Sequence, residues 1–356
     1  MKLDEIKRAI RKIPQNVIWT FISVLLAVVT VRIVLKQNKD MSINELLLVI
    51  KASDPRYMII ALVFSLLYVV FEGMALNSIL KHGGYKNASL NWLLYSTSDV
   101  YFSAITPSAT GGQPASAFFM MRDGIPGGIA TATLVLNLVM YTLSIIVLGF
   151  ISMIICPEAI ITFGTASKVL ITAGFVILTL LSLVFVVLLK RESVIFIPME
   201  KLIMFLHRKN IIRESQRRIL KLEQIRNDYK RCSGLISSSR KILLYSFFWN
   251  FIQRATQICV PMLVFRATGG KTSKMVVVFA KQCLITIGYN FVPIPGGMGI
   301  SDYLMFDGFS VMMGEETALN VALISRGITF YMCVLISGII TLAGHLLTGK
   351  NRHRKA

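Results

Sequence analysis

Apolar runs of about 20 residues or more recur along the chain, separated by short segments rich in Lys, Arg, Gly and Pro. Six stand out, roughly 14–35, 57–80, 126–155, 168–189, 242–265 and 317–347. At about 1.5 Å per residue, each gives a helix long enough for about 30 Å of hydrocarbon. Lipid cannot satisfy free backbone groups, so the pattern predicts a helix in every run. The first run follows the basic segment MKLDEIKRAIRKIPQ, carries no small-residue cleavage site and is followed by Arg32 and Lys36. It therefore reads as an uncleaved span. The fold class is all-α and polytopic, with about six to eight transmembrane helices.

Two further segments are apolar yet broken. Leu90–Asp123 contains TPSATGGQP at 106–114, and Met275–Phe309 contains VPIPGGMG at 292–299. Pro removes a helical N–H, and paired Gly opens backbone angles closed to other residues. Each segment therefore predicts two short helices meeting at a loop. The Gly pairs lie 185 residues apart, about half the chain. With six crossings the first hairpin enters from one face and the second from the other, as in the inverted repeats of transporters. The halves are then 1–189, with the broken element 90–123, and 242–356, with the broken element 275–309. Residues 190–241 join them as a basic amphipathic connector suited to an anionic membrane surface. Two alternatives stay open: both breaks as extramembrane loops, or a full crossing by 275–292.

Composition agrees with the pattern. Hydrophobic residues make up 54% of the chain and charged residues 16%, with a mean hydropathy of +0.66, which excludes a disordered chain or a disulfide scaffold. The net charge is +20. In the six-crossing arrangement 26 Lys and Arg fall on one side and nine on the other, fourteen of the 26 within 190–241. That asymmetry predicts cytoplasmic N- and C-termini and explains the basic balance without nucleic acid. The five Cys form no CxxC pair, the four His match no metal spacing, and no Walker motif occurs. No metal or cofactor is expected, and ATP is not expected to drive the protein directly.

Charges inside apolar segments cost about 2.5–3.5 kcal/mol each on insertion scales, so each needs a partner or a wet cavity. They are Glu72, Asp99, Arg254, Lys281, Asp302 and Arg326. They can pair with one another as structural salt bridges, or they can line a site. In the second case Arg254 and Arg326 suit a phosphate, which guanidinium groups bind bidentately. Glu72 and Asp302 suit a cationic headgroup. Helix N-termini after Gly111-Gly112 and Gly296-Gly297 would add N–H donors. Thr106, Ser108, Thr110, Gln113 and Asn290 would line a polar path or satisfy the broken backbone.

TPSATGGQP at 106–114, PIPGGMGISD at 293–302 and the late Arg326 resemble the lysylphosphatidylglycerol synthase transmembrane family, over about residues 10–347. Its members include the flippase-like membrane domain of multiple-peptide-resistance factors, where a cytosolic aminoacyl-transferring domain follows. Gln113 and Asp302 stand where many members carry Glu. No such cytosolic domain follows within this sequence, so lysyl transfer to phosphatidylglycerol is not expected of it. The resemblance implies a lipid translocase in a bacterial plasma membrane. Its partners would be anionic or aminoacylated phospholipids, and either a separate synthase or further copies of the chain. A phosphatidylglycerol lysyltransferase and an ion-coupled small-solute transporter are the other readings.

Overall fold

The computed structural model describes residues 43–85, 91–106, 109–209 and 215–352. The expected span 14–35, and Pro107 and Ser108 of the first break, lie outside the described residues. Among those described, all regular structure is helical. A short helix α1 (Ile43–Ala52) precedes α2 (Pro55–His82). α2 starts with Pro in its first turn and with the Asp54 carboxylate accepting the Arg56 N–H at 2.9 Å, the usual chemistry of a helix start.

The first broken element is a hairpin of α3 (Trp92–Ile105) and α4 (Gly112–Arg122). Its open end is tied by Asp123, whose carboxylate accepts Asn91 Nδ2 at 2.9 Å and the Tyr95 hydroxyl at 2.7 Å. The chain therefore returns to the side it came from. α5 (Gly127–Ile155), the short α6 (Glu158–Ile161) and α7 (Thr165–Lys190) follow. The connector folds as α8 (Ser193–Arg208) and α9 (Ser215–Ser238). α9 lies against the start of α5 so closely that a Cβ on Gly128 would sit 2.1 Å from the Ile225 carbonyl oxygen.

The second half opens with α10 (Arg240–Ala267), packed along α2. α11 (Met275–Asn290) and α12 (Ile300–Met313) form the second hairpin, closed at its base by Lys274 Nζ donating to the Met312 carbonyl at 2.9 Å. At 16 residues α11 spans about 24 Å, shorter than a hydrocarbon core of about 30 Å. α13 (Glu315–Arg326), a π-helical segment Gly327–Met332 and α14 (Cys333–Arg352) complete the chain.

The hairpins enter from opposite ends of α5. The base of the first adjoins the N-terminal end of α5, where Ile125 and Ile129 pack with Leu94, Tyr95 and Phe119. The second adjoins the segment after the C-terminal end of α5, where the Asp307 carboxylate accepts the Gly164 N–H at 2.9 Å.

Four of the six apolar runs are helices long and apolar enough to cross a membrane: α2, α5, α7, and the α13–π–α14 run over Glu315–His345. α10 is as long as α2, at 28 residues. It carries Asn250, Gln253, Arg254 and Gln257 midway, and the first three are buried. Its polarity thus faces the protein interior. α7 is the converse, turning Val176, Leu180, Leu183 and Val184 outward, as a lipid-facing helix must.

Small residues let the second hairpin into the bundle. A Cβ on Gly174 would lie 2.2 Å from the Ile287 carbonyl oxygen, and one on Gly149 would lie 2.1 Å from Ile287 Cδ1. α11 is thus clasped between α5 and α7 at backbone contact, the packing that replaces the hydrophobic effect between helices in lipid. Gly174→Leu is expected to destabilise the detergent-solubilised protein by about 1–3 kcal/mol or more, read as a lowered thermal midpoint. Gly234→Ala on α9, where a Cβ meets nothing within 4 Å, is expected to leave the midpoint unchanged or slightly raised.

Candidate functional site

The tips of both hairpins line one cavity of about 410 Å³. Ala109 and Gln113 come from the first, and Asn290, Ile294, Gly296 and Gly297 from the second. The walls are α2 with Tyr68 and Glu72, α3 with Asp99, α5 with Tyr141, α10 with Arg254 and Gln257, and α13 with Arg326. Polar groups from both halves of the chain thus converge on a space bounded by membrane-spanning helices.

Arg254 is 4% exposed. Its Nη1 donates to Gln257 Oε1 at 2.7 Å and its Nη2 to the Tyr68 hydroxyl at 3.1 Å, while Nε has no partner. The guanidinium carbon lies 3.7 Å from the centre of the Tyr141 ring and 5.0 Å from that of Tyr68. In contrast to Arg326, which pairs with Asp302, Arg254 has no carboxylate within 4 Å of its guanidinium among the described residues. Its charge is held by aromatic faces and neutral oxygens, which leaves donors for an anionic guest.

Arg326 is engaged quite differently. Its Nη1 forms an ion pair with Asp302, and its Nη2 donates to the Gly296 carbonyl at 2.9 Å. Asp302 also accepts the Gly299 N–H at 3.0 Å. Gly296, Gly297 and Gly299 all have positive φ, at 61°, 63° and 82°, a conformation glycine adopts without strain. Arg326 and Asp302 therefore pin this loop to α13. The π-helical segment begins one residue later, and its Ile328 carbonyl is satisfied by Ser65 Oγ at 2.8 Å.

The first loop is held by shorter-range contacts. Thr106 Oγ1 donates to the Phe102 carbonyl at 2.7 Å and accepts the Gly111 N–H at 2.8 Å. A Cβ on Gly112 would fall 2.0 Å from both Asp99 Oδ1 and Ser103 Oγ, so glycine is what lets α4 touch α3. Asp99 accepts Ser103 Oγ at 3.1 Å and Gln113 Nε2 at 2.7 Å. An amide fits position 113, because a carboxylate there would crowd Asp99 with like charge. Glu72 accepts Gln253 Nε2 at 3.2 Å.

Of the residues singled out from sequence, Glu72, Asp99, Gln113, Arg254, Asn290, Gly296, Gly297 and Arg326 line the cavity. Thr106, Gly111 and Gly112 shape the first loop behind it, and Asp302 stands behind the second as the partner of Arg326. Lys281 is not among the lining residues. It is buried on another face of α11, where Nζ donates to the Gly308 carbonyl beside the Phe163 ring, while its neighbour Gln282 reaches the cavity. Tyr68, Tyr141 and Gln257, which cradle Arg254, carried no signal as charges in apolar runs. Tyr68 stands four residues before Glu72, and Gln257 three after Arg254. That helical spacing could have pointed to them.

The family model for the lysylphosphatidylglycerol synthase TM region matches residues 11–337. No curated protein and no solved structure matches the chain.

Asp302→Asn would leave the Arg326 guanidinium, on a residue 6% exposed, without its counter-charge. The expected cost is about 1–3 kcal/mol, below the full penalty for a buried pair because the Asp302 side chain is 42% exposed. A lower thermal midpoint than wild type in the same detergent checks it.

Proposed function

We propose, taking as premise that this chain belongs to the lysylphosphatidylglycerol synthase TM region family, that it moves phospholipid headgroups between the leaflets of a bacterial plasma membrane. The headgroup passes through the cavity between the two hairpins while the acyl chains remain in the bilayer. The phosphate pairs with Arg254. The observation that carries this reading is a buried guanidinium, facing a cavity bounded by two broken helices, with no carboxylate in contact. A buried charge without a counter-ion is costly, and a visiting anion offsets that cost.

Arg326 and Asp302 hold the second loop in this account, and neither meets the headgroup as a free charge. The loop N–H groups and Gln257 supply neutral donors and acceptors around the phosphate. The basic face of α8 and α9 belongs on the cytoplasmic side, where it attracts anionic lipid toward the entrance.

Reconstitution into liposomes with fluorescent phosphatidylglycerol tests the function. Dithionite added outside is expected to bleach well beyond the outer-leaflet half when the protein is present. Arg254→Ala is expected to slow inner-leaflet bleaching at least tenfold, with folding verified by an unchanged elution profile. Bleaching that stops at the outer leaflet, or an Arg254→Ala protein as fast as wild type, contradicts the proposal. Solute uptake by the same vesicles without lipid movement would favour a solute carrier instead.

A further inference from the structure

Tyr141 of α5 touches both Arg254 and the tip of the second hairpin. The centre of its ring lies 3.7 Å from the Arg254 guanidinium carbon, and its hydroxyl donates to Asn290 Oδ1 at 2.8 Å. Asn290 is the last residue of α11, just before the Pro/Gly loop. The ring also packs with the cluster of Ile145, Leu178 and Ile287. A tyrosine hydroxyl sits on the long axis of its ring. The hydrogen bond therefore fixes where the tip of the ring points, and the packing limits rotation of its face.

A guanidinium carries its N–H groups in its own plane. A ring stacked on the face holds the cation without taking a donor. Gln257 and the Tyr68 hydroxyl each take one N–H of Arg254, and Tyr141 takes none.

The cavity also holds a competitor for this cation. Glu72 is 6% exposed and lines the same space. Its carboxylate accepts Nε2 of Gln253, the residue before Arg254, at 3.2 Å. It also stands one turn after Tyr68 on α2, and the Tyr68 hydroxyl accepts Arg254 Nη2 at 3.1 Å. A long arginine side chain whose own neighbour reaches that carboxylate can turn toward it, and the resulting ion pair would close the site to an anion. Arg254 nevertheless has no carboxylate within 4 Å among the described residues. Away from water, a stacked ring holds a cation strongly enough to oppose that turn.

We infer that Tyr141 is the positioning residue of the anion site: its ring keeps Arg254 from pairing with Glu72, and its hydroxyl ties that arrangement to the second hairpin through Asn290. This rests on the function proposed above. Loss of either contact releases Arg254 toward Glu72 and lowers the affinity for phosphate.

Binding of short-chain phosphatidylglycerol to the purified full chain, read by calorimetry, tests the inference. Tyr141→Leu removes the ring and is expected to weaken binding about tenfold or more. Glu72→Gln is expected to regain most of that loss in the Tyr141→Leu background, and to change binding by about threefold at most with Tyr141 in place. A residue that only supported the fold would show no such rescue, because a neutral side chain at 72 does not refill the space the ring leaves. Tyr141→Phe keeps the ring and loses the hydroxyl. It and Asn290→Ala are each expected to weaken binding about threefold, and the two together no more than either alone. This milder pair decides the matter if Tyr141→Leu does not fold, as judged by its elution profile. Tyr141→Leu binding as tightly as wild type, no rescue by Glu72→Gln, or additive losses in the milder pair overturns the inference and leaves the transport reading standing. Wild type that binds neither this lipid nor inorganic phosphate overturns both.

Discussion

A backbone that leaves the helix at membrane depth must find every hydrogen bond inside the protein. That requirement governs both Gly/Pro breaks here. At the first, a threonine side chain receives the Gly111 N–H. At the second, the Arg326 guanidinium serves the Gly296 carbonyl while Asp302 serves the Gly299 N–H. These contacts fix the loops against helices from their own halves of the chain. Once fixed, the loops cannot pack as densely as the helices around them, and the space between them is the cavity.

The same requirement divides the labour of the two buried arginines. Arg326 is a structural cation, committed to a carboxylate and a carbonyl. Arg254 is held by Tyr68, Tyr141 and Gln257, groups that keep a cation in place without neutralising it. A charge kept but not cancelled is what a transient anion site needs, since a resident carboxylate would compete with every incoming phosphate.

Much of this was legible in the sequence because membranes simplify the code. Twenty-residue apolar runs and Gly/Pro interruptions pointed to α2, α5, α7 and the closing helical run, and to both hairpins, among the described residues. The cavity-lining residues divided by how their signal arises. A charge in an apolar run is conspicuous, so Glu72, Asp99, Arg254 and Arg326 could be picked out and do reach the cavity. Which charge pairs with which depends on side-chain direction across contacts hundreds of residues apart, and a linear pattern does not carry it. Lys281 shows this: it is conspicuous in sequence, yet it points away from the cavity to a carbonyl of its own hairpin. Tyr68 and Tyr141 show the reverse, since aromatic residues are unremarked in apolar runs and become a cradle only after α2, α5 and α10 meet.

An experimental density map of the protein in a phosphatidylglycerol nanodisc would put the whole account at risk. It should show the loops at 106–114 and 293–299 facing one another within the bilayer, with phosphate density at hydrogen-bond distance from the Arg254 guanidinium. Loops lying apart in bulk solvent, or Arg254 closed over by a carboxylate of the protein itself, would contradict it.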